Sequence, residues 1–386
     1  MYQVVSLTGK SGKRAGFGSG MGRSLQPQKG NNSHAAECSG AKSILTFAVA
    51  MQLKTINAYL ITSVCVILLD ACGPSVPKPD PDLPTDTKIQ LAAYPTFSAD
   101  SAFQYVAKQV AFGPRVPNTP EHARCAAFLR NELARFCDTV IVQTAPDTTY
   151  DGTRITMKNI IGVFNPQAKN RILLCAHWDT RPFADQDPNR PRERFDGAND
   201  GGSGVGVLLE MARIMHSRKP GIGIDIVFFD AEDWGDASGK VDHSYCLGSQ
   251  YWSKNPHVPG YKAMYGILLD MVGGKDALFG LEMNSVSSAR ELVMQLWGIA
   301  GQLGYGKHFV YAERGPITDD HVYVIHNLQI PMVDIIQYDP ENRHQFADYW
   351  HTHNDNLESV APATLKAVGE TLAAHIYTED ARWKTP

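Results

Sequence analysis

Two short apolar runs, Arg171-Ile-Leu-Leu-Cys-Ala-His177 and Ile222 to Phe229, each end in a cluster of histidine and carboxylate side chains. The first runs into Trp178-Asp179, the second into Asp230-Ala231-Glu232-Asp233. Between them lies the Gly-rich stretch Phe195-Asp196-Gly197-Ala198-Asn199-Asp200-Gly201-Gly202-Ser203-Gly204-Val205-Gly206. Continuous runs of Ile, Leu, Val and Phe of this length are the pattern of parallel strands buried on both faces. Open α/β sheets carry their ligand sites just past the carboxyl ends of such strands. Three segments that each deliver acids or histidine to that edge point to a metal site.

Further strands and helices alternate along the chain. Ser98 caps an expected helix over 99–112, and Thr119, followed by Pro120, caps a second over about 120–136. Strands are expected at 139–143, 153–164, 263–270 and 330–336, and helices at about 201–216, 287–303 and 361–380. Two long polar loops, 180–198 and 234–248, separate them, and loops of that length in compact domains are usually functional. The alternation predicts a three-layer α/β/α sandwich around a central mixed, mostly parallel sheet, forming one domain over 97–386.

The first 96 residues read differently. Residues 1–50 are rich in Gly, Ser, Asn and Gln without periodicity and read as disordered or as preceding the true start. From Met51, a lysine, the apolar run Ile56 to Leu69 and then Leu69-Asp70-Ala71-Cys72 resemble a bacterial lipoprotein signal, with Cys72 as the lipidated residue. Residues 73–96 form a Pro-rich, extended tether. These features predict a periplasmic or cell-surface protein anchored to a membrane through Cys72. Export permits disulfides, but Cys125 and Cys137, on one helix about 18 Å apart at 1.5 Å per residue, are too distant to bond, and no disulfide is predicted. Of 36 basic and 40 acidic residues, seven and two precede residue 73, leaving 29 and 38, a net charge of −9. No basic patch points to nucleic acid.

His177, Asp200, Asp233, Asp270 and His351 stand at strand ends or in the loops after them. Asp179, two residues beyond His177, is placed to orient its imidazole. His351 sits among aromatic residues in Tyr349-Trp350-His351-Thr352-His353. The adjacent acids Glu232 and Asp233 point in different directions, so one can bind metal while the other acts as general acid and base. Ser203 lies in a Gly-rich turn without the strand-Gly-x-Ser-x-Gly elbow of a serine hydrolase. A non-catalytic binder is expected to have lost an acid or a ligand, and none is lost here.

Four blocks, Gly197-Ala198-Asn199-Asp200, Phe229-Asp230-Ala231-Glu232-Asp233, Leu269-Asp270-Met271-Val272-Gly273 and Trp350-His351-Thr352, resemble the signatures of the zinc aminopeptidase superfamily, which includes the glutaminyl cyclases. The resemblance covers roughly residues 97–380. In the two-zinc aminopeptidases it implies His177 and Asp270 on one zinc, Asp233 and His351 on the other, and Asp200 bridging. In the one-zinc cyclases it implies Asp200, Asp233 and His351 as ligands, Glu232 as proton shuttle, and Asp270 hydrogen-bonded to Asp319. Three features are similar to the cyclases: Ile317-Thr318-Asp319-Asp320-His321, Trp350 before His351, and His177-Trp178-Asp179-Thr180-Arg181-Pro182. Vertebrate cyclases have Glu where Asp233 stands and His where Asp334 is placed.

The resemblance therefore implies a glutaminyl-peptide cyclotransferase with one zinc ion per chain, converting N-terminal glutamine of peptides or proteins to pyroglutamate with release of ammonia. Glu232, Asp270 and Asp319 would be catalytic. Trp350, Ile317 and Asp334 would bind substrate, Trp350 and Ile317 as an apolar wall. A monomer is expected. The alternative is a two-zinc aminopeptidase with His177 as a ligand of the second ion.

Overall fold

The structure, a computed structural model, describes residues 2–4, 88–342 and 344–384. The expectations for residues 5–87, including the lipoprotein signal and Cys72, fall outside the described residues. Seven strands form the main sheet: β1 (Tyr2–Val4), β2 (Thr139–Thr148), β3 (Arg154–Phe164), β4 (Arg171–His177), β5 (Gly223–Phe229), β6 (Tyr265–Asp270) and β9 (Met332–Ile336). Their spatial order is β1-β2-β3-β5-β4-β6-β9. The block β5-β4-β6-β9 is parallel, and β3, β2 and β1 extend it antiparallel. A separate pair, β7 (Phe279–Glu282) and β8 (Phe309–Arg314), lies outside that sheet.

Side-chain alternation along the strands divides the core into two layers. Ile172 and Leu174, Ile224 and Ile226, Ile267 and Leu269, and Val333 and Ile335 face one side. There they meet α1 (Ala99–Val110), α2 (Pro120–Phe136), α3 (Gly202–Ser217), α5 (Met283–Gln302) and α7 (Pro362–Lys384). Leu173 and Cys175, Val227 and Phe229, Leu268 and Met332 face the other side, against α4 (Leu247–Lys254) and α6 (Asp320–Leu328). Every residue of β4 and β5 is buried, as parallel strands covered on both faces require. The result is the expected α/β/α sandwich with a mixed sheet.

The caps of α1 and α2 follow the sequence: Ser98 accepts a hydrogen bond from the Ser101 amide and Thr119 from the His122 amide, with Pro120 in the first helical turn. Several boundaries differ. α5 begins at Met283, and Ala289 (φ −148°) kinks it. β2 runs on to Thr148, and β1, within the stretch read as disordered or as preceding the true start, was not anticipated, nor were α4, α6, β7 and β8. Residues 88–96, expected as the end of the tether, lie against the domain: the Ala92 amide donates to Thr378 Oγ1 at 3.1 Å, and Tyr94 packs on the core. Cys125, Cys137, Cys175 and Cys246 are free thiols. Among the described residues no helix is long and apolar enough to cross a membrane.

Candidate metal centre and active site

The strand order reverses around β4, and the polar edge of the sheet is built there from five separate segments. His177 is the last residue of β4, Asp270 the last of β6, and Glu232 and Asp233 follow β5. Asp200 precedes α3, and His351 lies in the loop between β9 and α7. His177 Nε2 is 3.0 Å from Asp200 Oδ1 and 3.1 Å from Asp270 Oδ1. His351 Nε2 is 3.2 Å from Asp233 Oδ1 and 3.5 Å from Asp200 Oδ2. Asp200 thus stands between two groups, His177–Asp200–Asp270 and Asp200–Asp233–His351, each with its ligand atoms within 4.8 Å of one another.

A surrounding layer, mostly from loops, holds these side chains. Asp179 spends its carboxylate on two amides, those of Glu232 (3.0 Å) and Asp233 (3.3 Å), which sets the turn that aims the two acids apart. Its contact with His177 Nδ1, for which the sequence had suggested it, is longer at 3.5 Å. Arg181 donates to the Asp233 carbonyl (2.9 Å) and to Asp185 Oδ2 (2.6 Å), and Asp185 Oδ1 lies 3.2 Å from His351 Nδ1. Asp355 accepts from the amides of Asn199 (2.7 Å) and Asp200 (3.1 Å). The wholly buried Arg115 donates to the carbonyls of Asp196 (2.5 Å), Gly197 (2.7 Å), Trp178 (3.0 Å) and Asp200 (3.5 Å). Gly201, at φ +75°, passes so close to His177 and the Asp179 carbonyl that a Cβ there would lie 2.3 Å from that oxygen.

The remaining expected residues divide between the site and a deeper layer. Glu232 Oε1 accepts from Cys246 Sγ at 3.2 Å, and Oε2 is 3.9 Å from His177 Nδ1. Trp350 is half-buried and stacks on His351 with ring centroids 3.6 Å apart. Ile317 is half-buried, its amide held by Glu282 Oε1 at 3.0 Å. Asp319 caps α6 through the Asp320 amide and belongs to two groups, one with Glu232 and Cys246 and one with His321 and Asp334, while Asp270 is bonded to His177 and feels the charge of Asp319. Asp334 is a correction: it shares the face of Met332 towards α6 and is 1% exposed, so it backs Asp319 and offers no surface to a substrate.

Burial and crowding of like charge dominate the electrostatics. Burial pushes Asp270 up to about 7, with repulsion from Asp319 and Asp200 adding to it and His177 opposing it. Glu232 is raised well above the usual carboxylate range, chiefly by burial. Asp319, Asp320 and Asp334 are all raised chiefly by burial, with the charge of Asp319 adding to it at Asp320 and Asp334 and that of Asp200 at Asp319. Burial alone would lower the two histidines, but their carboxylate neighbours prevail, taking His351 up to about 10 and His177 well above its usual range. So many acids facing two imidazoles form a site suited to a cation. Asp233 Oδ2 is buried with no hydrogen-bond partner, and the nitrogen and oxygen donor set suits zinc. The residues therefore fit a divalent metal.

Of the supporting residues, Arg115, Asp185 and Asp355 escaped the sequence reading. Each acts across a long stretch of chain on backbone or ring atoms, and no local spacing marks such a role.

Comparison with known proteins agrees with this geometry. Residues 159–376, more than half of the chain, match the model for peptidase family M28. A solved Zn-dependent exopeptidase from Parabacteroides distasonis is 55% identical, with a TM-score of 0.73 over 74% of this chain and 99% of that one. A solved glutaminyl cyclase from Tannerella forsythia is 53% identical, with a TM-score of 0.72 over 73% of this chain and 99% of that one. A glutaminyl-peptide cyclotransferase from Gloydius blomhoffii is 25% identical over 57% of this chain, and the match spans 65% of that protein, just under two thirds of its length. With its mixed sheet and this match over more than half of its length, the chain belongs to peptidase family M28.

Proposed function

We propose that this protein is a zinc-dependent glutaminyl-peptide cyclotransferase that closes N-terminal glutamine to pyroglutamate and releases ammonia. The observation that carries this reading is the similarity, at 53% identity, along almost the whole of a solved glutaminyl cyclase, on a fold that sets Glu232 beside the Asp200–Asp233–His351 group. Those three side chains would hold one zinc ion, which when bound supplies a Lewis acid for the γ-carbonyl of the substrate.

The chain's own residues would do the rest. The α-amine and the γ-amide belong to one residue, so closure needs orientation more than a second reactant. Glu232 takes a proton from the attacking amine and returns it to the departing ammonia. Asp270 and Asp319 hold the two nitrogens, and Asp334 keeps Asp319 in place from behind. Trp350 and Ile317 wall the site and keep out the water that would hydrolyse the amide.

The test is ammonia release from the dipeptide Gln-Ala by the purified protein with zinc, beside hydrolysis of Leu-p-nitroanilide. Ammonia matched by an equal yield of blocked N-terminus, and lost in Glu232→Gln, is expected. Nitroaniline without ammonia would replace this reading with a two-zinc aminopeptidase. One observation favours that second reading: His177, Asp200 and Asp270 form a second ligand group sharing Asp200 with the first.

The residues before the domain support placing the enzyme on a bacterial membrane, periplasmic or at the cell surface, through a lipidated Cys72. Palmitate labelling in cells should then be lost in Cys72→Ala, and labelling that persists there would refute the anchor.

A further inference from the structure

We propose that Cys246 is a positioning residue for Glu232; this rests on the cyclase reading. Cys246 is wholly buried at the start of α4, and its thiol donates to Glu232 Oε1 at 3.2 Å. Two backbone bonds lash the same segments together: the Cys246 amide to the Glu232 carbonyl (2.7 Å), and the Leu247 amide to the Ala231 carbonyl (3.0 Å).

The backbone sharpens the point. Cys246 has φ +60° and Ala231 φ +54°, so both sides of the contact sit in the left-handed region. That conformation favours glycine, and a residue with a side chain there is held by its surroundings at a cost. The backbone alone would be best served by glycine at 246. A side chain is present, and its one polar atom meets the carboxylate assigned the proton transfer.

The geometry makes the thiol a brace. With Oε1 tied to Sγ, the Glu232 carboxylate cannot spin freely about its last torsion, and Oε2 stays on the side of His177, 3.9 Å away. A carboxylate that must accept a proton from one nitrogen and deliver it to another gains from presenting one oxygen in a fixed direction. An S–H donor is weak and surrenders little of the carboxylate's basicity.

The test compares the full chain with Cys246→Ser, Cys246→Ala and Cys246→Gly in ammonia release from Gln-Ala, with thermal unfolding alongside. Cys246→Ser keeps a donor and should stay within about threefold of the parent kcat. Cys246→Ala and Cys246→Gly should lose about tenfold in kcat with KM unchanged. Glycine relieves the backbone where alanine does not, and the unfolding curves select the donor-free variants whose kcat is compared. A donor-free variant with parental kcat, or a serine variant as slow as the alanine one, would overturn the proposal while leaving the cyclase reading intact. A parent protein that releases no ammonia from Gln-Ala would sink both.

Discussion

Removing the Arg115 guanidinium should damage the metal centre without touching a ligand. Its four carbonyl acceptors are those of Trp178, Asp196, Gly197 and Asp200, and three of the bonds are 3.0 Å or shorter. A hydrogen bond from a charged donor contributes about 1.5–3 kcal/mol, and each carbonyl left buried and unpaired adds its own cost. Against this stands the relief of desolvating a buried cation, which recovers several kcal/mol. The balance for Arg115→Met is a loss of about 4 kcal/mol. For a domain of this size that lowers Tm by about 12 °C at roughly 3 °C per kcal/mol. Asp200 follows the pinned carbonyls directly, so zinc affinity should also fall, by about 10- to 100-fold, as when other ligand-supporting partners are removed. Arg115→Lys, with one point donor in place of a planar fork, should fall between the two. Urea unfolding and zinc competition with a chelator read both effects. A variant within about 1 kcal/mol of the parent in stability and threefold in zinc affinity would refute the argument.

His375 gives stability a dependence on pH. It is buried on α7 with Nε2 bonded to the Tyr265 hydroxyl at 2.8 Å, and burial lowers it to about 4 from 6.5. The folded state therefore binds this proton less tightly than the unfolded one. Its share of stability is intact above about 6.5 and drains away as pH falls towards 4, to a total of about 3 kcal/mol. Urea midpoints measured between pH 7.5 and 4.5 should flatten in His375→Gln relative to the parent, and parallel curves would count against it. Metal analysis of the purified protein should find one tightly held zinc per chain, reduced at least tenfold in occupancy by Asp233→Asn under limiting zinc. Two tightly held ions would favour the aminopeptidase.

The sheet was legible because its strands obey local rules. Runs such as Ile172-Leu-Leu-Cys-Ala and Ile224-Asp-Ile-Val-Phe-Phe are too apolar to lie anywhere but between two layers. Each ends where hydrophobicity gives way to histidine or acid, so the position of the site could be read as well. β7 and β8 were missed because four- and six-residue strands that stand outside the main sheet leave little alternation to see. Asp334 was misjudged for a different reason. Whether it meets a substrate or the buried side of α6 depends on how α6 docks against β9, a tertiary choice that its place on a strand does not encode. Arg115 reads in sequence only as part of a helix-breaking Gly-Pro-Arg, yet it secures a loop some eighty residues away.

The two ligand groups draw on the ends of β4 and β6, the turn after β5, the approach to α3 and the loop before α7. No shorter stretch of this chain contains either group, so an ion has almost nothing to bind until those segments have docked. Each tenfold excess of free ion over its dissociation constant then adds about 1.4 kcal/mol to the folded state alone. The site is in that sense a clasp as well as a reaction centre. With a metal ion bound, it would draw together an edge of the sheet where crowded carboxylates otherwise push apart, and the availability of metal would become one of the conditions on which the domain stays closed.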